Sequence, residues 1–206
     1  MRRWMLLLVA AGFASPLVAQ EKPAEKPMPT EAEKQAIAQI KKLGGLVLEI
    51  AQNDPRLDVA FHLADAKITD AEVALVKPLT RTAILNLRGT EVSDAGLANL
   101  AELKGLTKLH LEKTKVTDAG LVHLKGLENL EYLNLYGTAV TDAGLKHLEG
   151  LRKLKKLYLW QTQVTDAGVA ALKQALPDIQ ITRGLELAKP LEPEKKEEKK
   201  PEEKKD

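Results

Sequence analysis

The chain has 206 residues, of which 44% are hydrophobic, and its formal net charge is +2. This size predicts one folded domain with tails, and the nearly balanced charge argues against a nucleic-acid-binding surface. Cysteine is absent, which excludes disulfides, a thiol nucleophile and thiolate metal sites.

The N-terminus has the pattern of a secretory signal peptide. Two arginines follow Met1, and residues 4–14 form an apolar run that is short for a membrane span. We predict a signal peptide over residues 1–19, although Leu17 is an imperfect small-residue match for cleavage after Ala19. A retained anchor is the alternative. We therefore expect an exported protein of the periplasm, cell envelope or exterior, with no stable membrane span after cleavage.

The next segment predicts a linker and then a cap. Residues 20–29 are rich in Pro, Glu and Lys, which is typical of a disordered linker. Residues 30–57 are predicted to form a cap of one helix and a hairpin. Thr30 and Glu33 match a capping box, and an apolar helical stripe continues to Gly44. A strand at 46–51, a turn at 53–55 and a first repeat strand with inward Val59, Phe61 and Leu63 complete this expectation.

Five consecutive segments of equal length then repeat without a gap: 58–81, 82–105, 106–129, 130–153 and 154–177. The clearest copies read L-x-x-L-x-L-x-x-T-x-V-T-D-A-G-L-x-x-L-x-x-L, and a fixed period of this kind indicates a solenoid. Leu109 and Leu111 alternate with His110, as in a strand with one buried face. The three-residue spacing from Leu121 onward suits a helix or 3₁₀ turn. One strand and one helix per repeat predict a stacked parallel sheet.

This repeat resembles the leucine-rich repeat family, from Asp58 to roughly Arg183. The resemblance implies a right-handed α/β solenoid, or horseshoe, with a parallel β-sheet on the concave face, helices on the convex face and an N-terminal helical cap. Five repeats and a terminal strand would occupy residues 58–184, and a disordered Lys/Glu/Pro-rich tail residues 185–206. Threonines stand where the family usually has Asn or Cys, and we expect their hydroxyls to bond backbone between coils: Thr90, Thr114, Thr138 and Thr162.

The T-D-A phrase places an aspartate at the same position of every repeat: Asp70, Asp94, Asp118, Asp142 and Asp166. A catalytic site needs one or two unlike acids in a cleft, whereas these acids form a row along one edge. Thr117 has the position of a helix N-cap, and Asp118 lies in the first turn, where a carboxylate complements the helix dipole. We interpret the row as structural.

Histidines and motifs offer no catalytic centre. His123 and His147 lie at equivalent convex positions, but two ligands are too few for a closed metal site. His62 and His110 are expected on the concave face, two repeats apart. The sequence contains no Gly-rich phosphate loop, G-x-S-x-G or H-E-x-x-H motif. We predict no enzyme activity, no catalytic residues, no metal and no cofactor.

The concave face is the remaining candidate surface. All three tyrosines, and the only tryptophan outside the signal peptide, fall on the last two repeat strands. Aromatic residues are enriched at binding hot spots, although cross-strand aromatic pairs also stabilise sheets by roughly 0.2–1 kcal/mol each without a ligand. We predict one contiguous ring patch and a partner-binding site composed of Tyr132, Tyr136, Tyr158, Trp160, Lys108, His110, Asn134 and Lys156.

Charged residues are expected to border this patch. Arg88, Lys113 and the two lysines of the site would form a mildly basic rim, and Glu112 is also placed there, where it would affect salt dependence and association rate. The predicted function is non-catalytic recognition of a protein or peptide through the concave face. The alternatives are binding of cell-wall glycan, with sugars stacked on the rings, and a purely structural role in the envelope.

Overall fold

The computed structural model of the chain describes residues 28–184. The predicted signal peptide, all of the predicted linker except Met28 and Pro29, and the predicted tail at 185–206 lie outside these residues. The domain boundaries assigned to those segments stay predictions.

The described chain forms one seven-stranded sheet with helices between successive parallel strands. The strands follow one another across the sheet in chain order, and only the first pair is antiparallel. The strands are β1 (Leu46–Ala51), β2 (Asp54–Ala60), β3 (Thr82–Asn86), β4 (Lys108–His110), β5 (Tyr132–Asn134), β6 (Lys156–Tyr158) and β7 (Gln180–Thr182). The helices are α1 (Glu31–Lys42), α2 (Asp70–Val73), α3 (Asp94–Leu97), α4 (Asp118–Leu121), α5 (Asp142–Leu145) and α6 (Asp166–Ala175).

The predicted α/β solenoid is confirmed, and its core is a stack of leucines. Ile84, Lys108, Tyr132, Lys156 and Gln180 pair in sequence across the sheet, always exactly one repeat apart. The intervening strand leucines, and those of the helical segments, are buried in one continuous core. Short 3₁₀ turns extend α2, α3 and α4, so the three-residue leucine spacing does correspond to mixed helical turns.

The first coil departs from the predicted register. Asp58 pairs with Ile84 and Ala60 with Asn86, which is two positions more than one repeat. Because α2 begins one repeat before α3, the extra positions lie between β2 and α2. The prediction that Leu63 faces inward is therefore wrong: β2 ends at Ala60, and Leu63 is 59% exposed. His62 also follows the strand, and its side chain is exposed.

The predicted cap is present in the form of α1 and an antiparallel hairpin of β1 and β2. The hairpin turn lies at residues 52–53, so Asp54 and Pro55 belong to β2 and the predicted turn was placed slightly late. Ala36 and Ile40 are the buried apolar residues on the inner face of α1.

Only half of the predicted capping box forms at α1. The Thr30 hydroxyl accepts a hydrogen bond from Glu33 N at 3.2 Å. The Glu33 carboxylate instead accepts two bonds from the Arg81 guanidinium, at 2.6 and 3.1 Å. Glu33 is 5% exposed, so this ion pair connects the cap to the start of β3 away from water.

The threonines at the Asn/Cys position also differ from expectation. The hydroxyls of Thr90, Thr114, Thr138 and Thr162 each donate to the carbonyl oxygen three residues earlier, at 2.7 Å. These bonds close a turn within one coil and do not connect neighbouring coils.

Between residues 28 and 184, no helix combines the length and apolarity required to cross a bilayer.

Candidate functional site

The strands β3 to β6 present three columns of side chains on the sheet face that points away from the leucine core, which we call the open face. Parallel register aligns equivalent residues directly across neighbouring strands, about 4.8 Å apart. Ile84, Lys108, Tyr132 and Lys156 form the first column, and Asn86, His110, Asn134 and Tyr158 form the second. The repeat places Arg88, Glu112, Tyr136 and Trp160 in the third, just after the strands.

The rings of the open face form two groups of direct ring contacts. Tyr132 lies between His110 and Tyr158, with centroids 4.8 and 5.3 Å away. Tyr136 and Trp160 stack at 5.1 Å with an interplanar angle of 19°. The tyrosines are half-buried by this packing, whereas Trp160 remains 49% exposed. Trp160 is therefore the most accessible ring of the surface.

Glu112 does not lie at an exposed rim, which corrects the sequence prediction. Its side chain is buried, with a residue exposure of only 7%. Its Oε1 accepts a bond from Asn134 Nδ2 at 2.7 Å and lies 3.0 Å from His110 Nδ1. Its Oε2 is buried without a hydrogen-bond partner among the described residues. Glu112 thus orients two predicted site residues from beneath the surface.

Tyr132 joins the same network. Its hydroxyl oxygen accepts a weak bond from Asn134 Nδ2 at 3.3 Å, and Asn134 Oδ1 accepts one from Tyr136 N at 3.1 Å. Burial raises the pKa of the Tyr132 phenol, and the negative charge of Glu112 acts in the same direction. The hydroxyl is therefore protonated at neutral pH and can donate a hydrogen bond outward.

The predicted basic rim is present around the two ring groups. Lys108 and Lys156 are exposed in the column that contains Tyr132, one strand away on either side. Lys113 places its Nζ 5.6 Å from the centre of the Tyr136 ring, in cation–π contact. The structure thus brings all eight predicted site residues onto one face, with Glu112 as a supporting residue that the sequence analysis misplaced.

Two non-glycine residues adopt left-handed backbone conformations beside this surface. Lys113 has φ 55° and Gln161 has φ 54°, at positions equivalent to Gly89 and Gly137 in the repeat. Left-handed backbone costs a non-glycine residue roughly 1–2 kcal/mol. Each residue directly follows an open-face residue, so local strain is concentrated next to the candidate site.

The repeated aspartates lie at one edge of the solenoid and in the first turn of each short helix, as predicted for a structural role. The first four carboxylates also bridge to the following coil, which the sequence analysis did not predict. Asp94 accepts bonds from Thr117 N and Oγ1 at 2.7 and 2.6 Å. The same pair of bonds recurs in the other coils: Ser93 donates to Asp70, Thr141 to Asp118 and Thr165 to Asp142. This ladder fixes the stacking of successive coils.

The last coil ends the ladder with an ion pair, since Asp166 contacts Arg183 at 2.7 Å. His123 and His147 occupy equivalent positions behind the sheet, away from the open face. No group of three or more metal-ligating side chains occurs within residues 28–184.

A known protein family matches part of the repeat region. Residues 104–164 match the family model described as leucine rich repeat. No curated protein matches the chain in sequence.

Three solved structures are similar to part of this chain. An internalin C2 from Listeria monocytogenes is 26% identical, with 53% of this chain and 56% of that chain covered and a TM-score of 0.42. An internalin from the same organism, inlF, is 21% identical over 53% and 36% of the two chains, with a TM-score of 0.39. The ectodomain of the Arabidopsis thaliana receptor kinase SOBIR1 is 14% identical over 75% and 93%, with a TM-score of 0.49. The chain thus spans about half or less of the two internalins.

Proposed function

The chain is a leucine-rich repeat protein, and we propose that it is a non-catalytic recognition module that binds a protein or peptide through its open face. Leucine-rich repeat domains are typical protein-binding modules. The observation that carries the proposal is the exposed Trp160 beside the Tyr136 ring and the strained Lys113. An exposed indole stacked on a partly buried tyrosine is the composition of a binding hot spot.

Sheet packing alone explains the exposure of these rings less well than a binding role does. A purely structural cross-strand pair contributes roughly 0.2–1 kcal/mol, which does not require half of an indole to face water. The buried network of Glu112, Asn134 and Tyr132 also supports recognition, because it fixes side-chain orientations on the open face before any partner arrives. Preorganised side chains reduce the entropy lost on binding.

The ring geometry favours a protein partner over a glycan. Sugar rings stack on flat, free aromatic faces, but the Tyr136–Trp160 stack leaves at most one face of each ring available. The Tyr132 ring is flanked by His110 and Tyr158. What the surface offers is ring edges, hydroxyls and ammonium groups, which suit side chains and backbone of a polypeptide.

The test is affinity capture from an envelope extract with three forms of the protein: wild type, Trp160→Ala and Val122→Ala. Val122 is an exposed apolar residue behind the sheet and serves as the matched control. The partner should be retained by wild type and by Val122→Ala, while Trp160→Ala should weaken its binding by about 2 kcal/mol or more. A partner that binds all three forms equally contradicts the proposal, and release by free sugar identifies the glycan alternative.

Fluorescence gives an independent measurement. After removal of the predicted signal peptide, Trp160 is the sole tryptophan of the chain. Its emission should be red-shifted in the free protein and move to shorter wavelength when the partner covers the indole. A Trp160 that iodide cannot quench in the free protein would contradict its exposure.

The proposed location is the cell envelope or exterior, and it rests on the N-terminal sequence. Intact-mass measurement of the native protein should give a chain that begins near Gln20. A soluble cytoplasmic product that retains Met1 would reject export.

A further inference from the structure

On strands β3 to β6, the exposed charged side chains at the candidate site are basic. Arg88, Lys108 and Lys156 are exposed within the three columns and Lys113 is exposed beside them, whereas the one acidic side chain of these columns, Glu112, is buried. The nearest further acid in the first column is Asp58 on β2, which pairs with Ile84. The whole chain is nearly neutral, with 31 basic and 29 acidic residues. The candidate binding surface is therefore more basic than the rest of the molecule.

Two of these cations flank one phenol. Lys108 and Lys156 lie directly opposite Tyr132 on its two neighbouring strands, so the two lysine positions are about 10 Å apart. The three residues line one shallow cavity together with His110, Glu131 and Lys155. Within residues 28–184, neither lysine has an acidic partner. The adjacent Glu131 is already paired with Lys155, at 3.4 Å.

The phenol completes a site for negative charge. The Tyr132 oxygen accepts from Asn134, so its own proton is free for an acceptor that arrives from solvent. A carboxylate above Tyr132 would receive that hydrogen bond and lie between two ammonium groups. Charge-assisted hydrogen bonds of this kind are among the stronger polar contacts in proteins.

We propose that the partner segment is an acidic peptide, with an Asp or Glu carboxylate seated over Tyr132 between Lys108 and Lys156. This inference rests on the proposed function and adds the chemistry of the partner. Apolar or aromatic side chains of the same peptide would contact Trp160, which lies about two columns away on the neighbouring strand. A polypeptide is favoured over nucleic acid because the sequence pI is about 8.6 and the cations are few and interspersed with aromatic rings.

The experiment is a selection of short random displayed peptides on the full chain. Four forms are compared: wild type, the double variant Lys108→Gln/Lys156→Gln, Trp160→Ala, and Lys125→Gln/Lys146→Gln. The last pair removes two exposed lysines behind the sheet and matches the loss of charge. Thermal melting confirms that each variant is folded.

Peptides selected on wild type should be enriched in Asp and Glu relative to the input library. A synthetic acidic winner should bind about 10-fold more weakly to Lys108→Gln/Lys156→Gln, and also about 10-fold more weakly when salt is raised from about 0.05 to 0.5 M. The control pair should bind it as wild type does.

The other outcomes separate the two proposals. Peptides that depend on Trp160 but show no acidic enrichment overturn the acidic-partner inference and leave the proposed function intact. The absence of any Trp160-dependent peptide counts against the proposed function itself. If a short single-stranded oligonucleotide displaced the acidic peptide as well as the unlabelled peptide does, the lysines would be assigned to nucleic-acid binding and the inference would be overturned.

Discussion

Gly120 lies directly against the Asp94 carboxylate of the preceding coil, so close that a methyl group at position 120 would overlap Oδ1. The same carboxylate is held by Thr117 N and Oγ1 and cannot rotate away without losing both bonds. Gly96, Gly144 and Gly168 stand in the same relation to Asp70, Asp118 and Asp142. The D-A-G phrase is therefore a contact between coils, with glycine as the space that the aspartate needs.

The first prediction concerns this contact. Gly120→Ala should destabilise the protein by about 1–3 kcal/mol, because the methyl group displaces a hydrogen-bonded carboxylate. The direction is informative, since glycine to alanine inside a helix normally stabilises by roughly 0.5–1 kcal/mol. Chemical denaturation measures the difference in unfolding free energy.

The controls for Gly120→Ala are one distant glycine and one double variant. Gly150 has nothing within 4 Å of an added Cβ, so Gly150→Ala should be nearly neutral. In an Asp94→Ala background, the further change Gly120→Ala should cost much less than in wild type. Fully additive effects would show that the clash is not with Asp94.

Position 72 is the exception that agrees with this contact between coils. Glu72 replaces the repeat glycine in the first coil, where no repeat aspartate precedes it. Its carboxylate instead completes a capping box with Thr69, and these hydrogen bonds lower the pKa of Glu72. The period predicted which leucines face inward. It could not show that the aspartate of one repeat touches the glycine of the next, because only the stacked coils bring them together.

The second prediction concerns acid stability. The hydrogen bond from the Thr165 hydroxyl, followed by that from its backbone N–H, lowers the pKa of Asp142 below its usual 3.8. A lowered folded-state pKa means that this contribution to stability is fully present at pH values well above the unfolded-state pKa, from about pH 5, and is lost as pH falls through the folded-state pKa. Asp142→Asn should therefore flatten the decline of stability between about pH 5 and 2. Glu128→Gln, a control at an exposed position, should leave the dependence of unfolding free energy on pH as steep as in wild type.

The third prediction ranks core packing against capping. Leu133 is fully buried, so Leu133→Ala should cost about 2–5 kcal/mol through the cavity it leaves. Thr117→Ala removes an N-cap and one rung of the ladder, and should cost about 2 kcal/mol, the upper end for a cap. A larger loss for Thr117→Ala than for Leu133→Ala in urea denaturation would contradict the assignment of the core.

The fourth prediction isolates the backbone strain at Lys113. Lys113→Gly should be more stable than Lys113→Ala by about 1 kcal/mol, because only glycine adopts φ 55° without steric cost. Both variants lose the same cation–π contact with Tyr136, so the comparison between them removes that effect. Equal melting temperatures would mean that the left-handed conformation is not strained.

Some features of the candidate site follow from the repeat period, whereas others depend on packing between the coils. Alternation along the strands placed Tyr132, Tyr158 and the lysines on the open face correctly. It also placed Glu112 there, but neither its burial nor its contacts follow from alternation. His110 and Glu112 stand two residues apart at a strand end, and this spacing is the one signal that could have suggested their pairing. The first-coil register was wrong because a short insertion after β2 leaves no trace in the T-D-A phrase.

The fifth prediction tests the role of Glu112. Its Oε1 accepts from Asn134 and contacts His110, while its buried Oε2 finds no partner in the described part of the chain. In Glu112→Gln the amide oxygen can keep the first role and the NH₂ group replaces the unpaired oxygen, without a buried charge. We expect the unfolding free energy of this variant to lie within about 1 kcal/mol of wild type, because removal of an incompletely paired buried charge offsets the weaker hydrogen bonds.

Glu112→Ala is the control variant. It leaves Asn134 Nδ2 without its strongest acceptor and should cost about 1–3 kcal/mol. Unfolding free energies of the three forms give the answer, with Asn134 side-chain NMR signals as a local readout. If Glu112→Gln were as unstable as Glu112→Ala, the negative charge itself, and not the shape of the acceptor, would hold the open-face network together.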